Sequence, residues 1–280
     1  MSTQNALLTI LTERINNDTL ILPTLPAIAL KVRKAADDPD INLHAMADVI
    51  AQDPSLSARM IKISNSAYLG RTVKVSSVGQ AVMRIGLRQI KNISTALAME
   101  QLFVSKNQLV SDYMKREWDK TIDIVANAMA VMQSHMQTQT QTSRELSVDA
   151  MTLAALLSKI GILPILTEAE RHAEVFANPT FLDDAIEKLS ARVGAKIMKT
   201  WGFSEEFVQV TSSWRDLTVL PDELGYLDFV RIGAALSGQF NSQRDAVMNL
   251  AIIRGAVADV GVFESDEFIQ MRDNASAIFA

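Results

Sequence analysis

Two stretches decide how this chain is read: DPSLSARMIKISNSAYLG at 53–70 and SSVGQAVMRIGLRQIKNI at 76–93. Asp53-Pro54 is a helix start, because a carboxylate can accept an orphan backbone N–H and proline needs no donor in the first turn. Leu56, Met60 and Ile63 then recur at four- and three-residue spacing and form one apolar stripe. Arg59 and Lys62 fall on or beside another face. Asn65 and Ser66 can satisfy backbone groups where two helices meet, and Gly70 suits a left-handed terminal position. Ser76 or Ser77 caps a short helix with Val78, Ala81, Val82 and Ile85 inward. Gly86 stops it, and Leu87, Ile90, Ile93 and Leu97 begin a longer helix running to about Phe103.

The same region is electrically one-sided. Between Pro54 and Met99 there are seven basic residues and no acidic one, while the chain as a whole carries −5. The remainder holds 20 basic against 32 acidic residues, a balance of −12. Two readings follow. Lysine and arginine line the solvated faces of many amphipathic helices. Alternatively Arg59, Lys62, Asn65, Arg84, Arg88 and Lys91 converge into a patch for a nucleotide second messenger, another anion or an acidic partner helix. Arg84, Arg88 and Lys91 would share a helix face only without the break at Gly86. Tyr68 is the one aromatic nearby, so stacking on single-stranded nucleic acid is disfavoured. The pI near 5.3 also argues against bulk nucleic-acid binding.

Outward from this region, nearly every segment has helical periodicity and none alternates like a strand. The fold class is therefore all-α. Leu7, Leu8, Leu11 and Ile15 mark a first helix, and the prolines of LPTLP at 22–26 break it. Pro26 suits the first turn of a helix carrying Ile28, Ala29, Val32 and Ala36. Asn42 caps another with Leu43, Met46, Ala47 and Ile50 inward. A second half begins near Asp112 with a long helix through Ile122, Val125, Ala126 and Met129. It frays into the low-complexity stretch QSHMQTQTQTS at 133–143, expected to be a surface loop. Asp149 is expected to cap MTLAALLSKIG, and Trp118 and Trp201 to sit in the core. Further helices are expected near 181–200, 204–215, 222–240, 245–259 and 264–279.

Composition narrows function. With 48% apolar and 21% charged residues in 280, the chain can bury a core of one large or two small units. It has no cysteine, which excludes disulfides, thiolate metal sites and cysteine nucleophiles. Uninterrupted apolar runs such as 153–157 and 160–166 are far shorter than the ~18 residues of a membrane span. The start lacks a basic segment before an apolar core, so it does not resemble a signal peptide. The expectation is a soluble, cytoplasmic protein without a cofactor.

Three segments together resemble the HDOD family, the HD-related output domains of bacterial signalling proteins: LPTLPAIALKV at 22–32, the 53–70 stretch, and 76–93 with its Ser77, Ala81 and Gly86. The resemblance continues through Trp118, LLSKIG at 156–161 and VGAKIMKTWGF at 193–203. It implies an HD-domain-like multi-helix bundle with an N-terminal helical subdomain at 1–110 and an HD-like subdomain at 111–280. Active HD phosphohydrolases hold metal with several histidines and a His-Asp pair. Here Ser158 and Lys159 stand in place of that pair, and an ammonium repels a divalent cation. The other ligand positions resemble Lys120, Ala191 and Ser213-Trp214. The three histidines, His44, His135 and His172, share no ligand spacing and read as solvated.

The resemblance implies a non-enzymatic regulatory module acting through contacts with other signalling proteins. The first alternative is a metal-dependent phosphohydrolase acting on a nucleotide or phosphate ester. A second is a nucleotide second-messenger sensor that does not hydrolyse its ligand.

Overall fold

A computed structural model describes residues 3–66, 69, 73–138, 146–171 and 179–279. Among these there are helices and turns and no strand. The order is α1 (Thr3–Asn16), α2 (Ala27–Ala36), α3 (Leu43–Ala51), α4 (Pro54–Ser64), α5 (Val78–Ile85), α6 (Leu87–Ala98), α7 (Gln108–Thr138), α8 (Val148–Leu157) and α9 (Ile162–Ala169). It continues with α10 (Pro179–Thr200), α11 (Glu205–Ser213), α12 (Tyr226–Leu236), α13 (Arg244–Ile253) and α14 (Asp266–Ser276).

The local signals near the start of the chain act as read. The Asn42 side chain accepts from the His44 and Ala45 N–H groups, Asp53 from Leu56, and Ser77 from Gln80. Pro26 is the residue just before α2 rather than within its first turn. Gly86 takes φ +86°, a value that L side chains avoid, and this sets the corner between α5 and α6. Tyr68, Gly70, Arg71, His172 and positions 139–143 of the Gln/Thr stretch lie outside the described residues.

Helix α7 is the organising column. It packs along α12 and α14 and also against α8 and α9. Helix α6 packs on α2 and α8, so it ties the 53–103 region to the second half, while α3, α4 and α5 gather on each other. Helix α1 lies on α9 and α10, where Arg14 bonds Glu168 at 2.8 Å and Arg192 donates to Asn16 Oδ1 at 2.9 Å. One continuous apolar cluster runs through both halves.

Three expectations need correction. Residues 133–138 are not loop: α7 continues to Thr138, because His135 is buried (7% exposed) rather than solvated. Its Nδ1 lies 3.1 Å from the Ala256 carbonyl and its ring 5.6 Å from that of Phe229. Ser147, not Asp149, caps α8, since Asp149 is already in the first turn and accepts from Asn92 at 2.7 Å. Finally, Val148–Ala169 is long and apolar enough by length and composition to cross a membrane, although 94% of its most apolar window is buried inside the protein. It is the core pair α8–α9, interrupted by the turn that carries Lys159. Trp118 is a core residue as expected, whereas Trp201 is half-buried and donates to the Pro23 carbonyl at 3.1 Å.

Candidate functional site

Helix α8 ends at Leu157, and the chain turns through Ser158–Gly161 before α9. This turn is pressed against α10. A Cβ on Gly161 would lie 1.9 Å from the Ser190 carbonyl oxygen and 2.6 Å from the Gly194 nitrogen. The α10 backbone beside Ala191 therefore abuts the turn directly. Helix α11 closes in from the next side, with Thr211 Oγ1 donating to the Leu157 carbonyl at 3.3 Å. Ser158 is buried and donates to the Ala155 carbonyl at 2.7 Å, so its hydroxyl is spent within the turn.

Lys159 turns inward. Its side chain is 1% exposed, and Nζ lies 2.5 Å from Glu117 Oε2 on α7. Lys120, one turn along α7, places its Nζ 2.7 Å from the other oxygen, Glu117 Oε1. Both carboxylate oxygens are thus taken by ammonium groups. Burial pushes the Glu117 pKa up, but Lys159 and Lys120 together outweigh that and leave it below the ordinary carboxylate value. Burial pushes Lys159 down, and Glu117 restores only part of the loss. Tyr113, one turn earlier on α7, donates to Asp183 Oδ1 of α10 at 2.6 Å. Burial and that acceptor push its hydroxyl pKa far upward.

The loop after α11 completes the cluster. Buried Arg231 donates to the carbonyls of Ser213 (2.9 Å) and Trp214 (3.4 Å) and also to that of Asp216. Ser213 and Trp214 face the core, the first bonding Ser212 Oγ at 3.0 Å and the second meeting Phe240 edge-on at 5.9 Å. Arg215 stacks over the Trp214 ring at 4.5 Å, within electrostatic reach of Glu187 and Glu117.

The positions Lys120, Ser158, Lys159, Ala191, Ser213 and Trp214 are thus drawn from α7, the α8–α9 turn, α10 and the end of α11 into one region. Glu117 and Arg215 were not singled out from the sequence. Glu117 had a readable signal: it falls three residues after Met114 and four after Tyr113, on the buried stripe of α7. Arg215 had none, because it follows the end of a helix.

This donor set does not fit a metal ion. A divalent cation needs several anionic or neutral donors, and the one carboxylate at the centre already holds two ammonium groups. Among the described residues no group of three or more His, Asp or Glu side chains could hold one.

The cationic region is engaged largely with its own chain. Arg59 donates to the Leu97 carbonyl at 3.1 Å and pairs with Glu100. Arg84 donates to the Ser64 carbonyl at 2.8 Å and to that of Val73, so it caps the end of α4. Asn65 brackets Val75, donating to its carbonyl and accepting from its N–H at 2.8 Å each. Lys91 pairs with Asp37. Lys62 and Arg88 are both exposed, each with interactions of its own. Gly86 separates Arg84 from Arg88 and Lys91, so these three do not share one continuous helix face.

The α4–α6 arrangement and the turn beneath α8 coincide with a known family pattern: the model of the HDOD domain matches residues 22–216. The chain belongs to the HDOD domain family. Over its whole length this HDOD chain matches all of a crystal structure from Shewanella amazonensis SB2B, with 36% identity and a TM-score of 0.93. That protein carries the provisional description of a metal-dependent phosphohydrolase. An HDOD domain protein of unknown function from Geobacter sulfurreducens shares the fold, with 19% identity, a TM-score of 0.65 and coverage of 99% and 98% of the two chains. Among curated proteins, an uncharacterized protein of Treponema pallidum (strain Nichols) is 24% identical over 213 residues, 72% of this HDOD chain. The HDOD chain spans 39% of that relative's length.

Proposed function

We propose that this HDOD protein is a non-enzymatic signalling module that acts through protein–protein contacts. The observation that carries the reading is the Glu117–Lys159 pair. In the segment resembling the HD motif, Lys159 stands where the resemblance leads one to expect a metal-binding aspartate, and its ammonium is held by the Glu117 carboxylate. A built-in cation of this kind can hold helices together but has no open coordination site for water or phosphate. The contact surface in this reading is the cationic α4–α6 region around Lys62 and Arg88.

Elemental analysis of the purified protein tests the reading, with phosphatase and phosphodiesterase assays in magnesium or manganese. The expected result is substoichiometric metal and no turnover. Stoichiometric metal with turnover that depends on it, lost on chelation and restored on adding the metal back, would establish the phosphohydrolase reading instead. For the contact surface, charge reversal at Lys62 and Arg88 should lower recovery of a partner from native cell extract without lowering the melting temperature.

A further inference from the structure

Among the described residues, Arg215 is a partly buried arginine with an unmet donor. Its Nε is shielded from solvent and has no hydrogen-bond partner. None of its guanidinium N–H groups donates to another described residue; its contacts are the face of Trp214 and the electrostatic reach of Glu187, Glu117 and Tyr113. Guanidinium groups withdrawn from water normally find acceptors, because each unmet donor costs desolvation energy. Arg14, Arg33, Arg59, Arg84, Arg231 and Arg254 all do so here.

The placement of Arg215 is not accidental slack. Arg231 fixes the carbonyls of Ser213, Trp214 and Asp216 on both sides of it, so the backbone that carries Arg215 is clamped. Trp214 then supports the flat guanidinium from one side. Half-exposed Lys120 and buried Lys159 are both bonded to Glu117, and Lys120 and Arg215 both act electrostatically on Lys159. Glu117 thus holds two ammonium groups and lies within electrostatic reach of the Arg215 guanidinium. Asp183 is occupied by the Tyr113 hydroxyl, and exposed Glu187 is the remaining carboxylate in reach of Arg215. A fork of donors held in this way, with two ammonium groups close by, is suited to a tetrahedral oxyanion, which can take two N–H bonds from an arginine and a third from a lysine.

We propose that Arg215 and Lys120 form a binding site for a phosphate group, free or as a monoester, without metal. The site deepens the non-catalytic reading and rests on it: the Glu117–Lys159 pair holds the floor, and the ligand is bound rather than cleaved. Glu187 competes with the phosphate for Arg215.

Isothermal titration calorimetry in EDTA with inorganic phosphate, and separately with adenosine 5′-monophosphate, tests this at fixed ionic strength. Saturable binding of at least one probe is expected. Arg215→Gln and Lys120→Gln should each weaken it about tenfold, while exposed Arg244→Gln leaves it unchanged. Glu187→Gln should tighten it, an effect absent if Arg215 merely serves as the partner of Glu187. Equal affinity for the two probes identifies the phosphate group itself as the ligand, and tighter binding of the nucleotide identifies a monoester. Circular dichroism of each variant keeps misfolding distinct from lost binding. Absence of saturable binding by folded wild-type protein, or equal binding by wild type and both site variants, overturns the proposal. With no metal present and no turnover, either result leaves the non-catalytic reading standing. Binding that requires magnesium overturns both.

Discussion

Lys159 Nζ lies 2.5 Å from Glu117 Oε2, with the two side chains 1% and 7% exposed. An ion pair so withdrawn from water is costly to break from one side, because the surviving charge stays buried. Glu117→Gln should therefore destabilise the fold by about 3–5 kcal/mol in urea denaturation. The double variant Glu117→Gln/Lys159→Met should recover much of that loss, since no buried ammonium remains. A double variant as unstable as Glu117→Gln alone would show that the two groups are not coupled.

The pH profile should be set in part by two groups of α7. The folded Glu117 pKa lies below its ordinary 4.5, so its contribution is present above 4.5 and is lost as pH falls through the folded value. Tyr113 is the reverse case: its folded pKa is raised above the ordinary 10.0 by burial and the bond to Asp183. Its contribution is present below 10 and is lost as pH rises beyond it, because the unfolded chain then releases a proton that the folded one keeps. Tyr113→Phe should flatten the alkaline limb of a stability–pH curve, and Glu117→Gln the acid limb.

Gly161→Ala should be among the most damaging single-methyl additions. The new Cβ would meet backbone atoms of Ser190 and Gly194 at 1.9 and 2.6 Å, and backbone cannot rotate away as a side chain can. A loss of about 3 kcal/mol is expected by chemical denaturation. Gly79, in α5 with nothing within 4 Å of its Cβ position, is the control. Gly79→Ala should be neutral or stabilising by up to about 1 kcal/mol.

Asn65→Ala should cost about 2–3 kcal/mol, because it strips both the donor and the acceptor from the buried backbone of Val75. Hydrogen exchange at the Val75 amide should accelerate in the variant. Asn65→Asp keeps the acceptor for that amide and loses only the donor to the carbonyl, so the amide should stay protected while stability falls by a smaller amount.

Much of the first half was legible because its determinants are local. Asn42, Asp53 and Ser77 bond groups two or three residues away, and Gly86 acts on its own φ. Spacing alone could therefore place those helix starts and the α5–α6 corner. The departures share a different cause. His135 looked solvated because its sequence neighbours are polar, yet Ala256 and Phe229, over ninety positions away, bury it. Asp149 looked like a cap, but a long-range bond from Asn92 holds it and leaves that role to Ser147. Arg59, Arg84 and Lys91 looked like a cationic surface, and their nearest acceptors are carbonyls and acids of the same protein.

The sequence by itself determined an all-α chain, its helix starts in the first half, and the Ser158-Lys159 dipeptide that the resemblance sets where an HD-like His-Asp pair is expected. Those follow from periodicity, caps and residue identity, which act within a few positions. Only the tertiary structure decided that Glu117 receives Lys159 across 42 residues, that the clamp of Arg231 presents Arg215 beside them, and that Gly161 lets α10 close over the turn. The physical reason is that a buried charge is tolerable only beside its partner, and that partner is chosen by helix packing rather than by spacing along the chain.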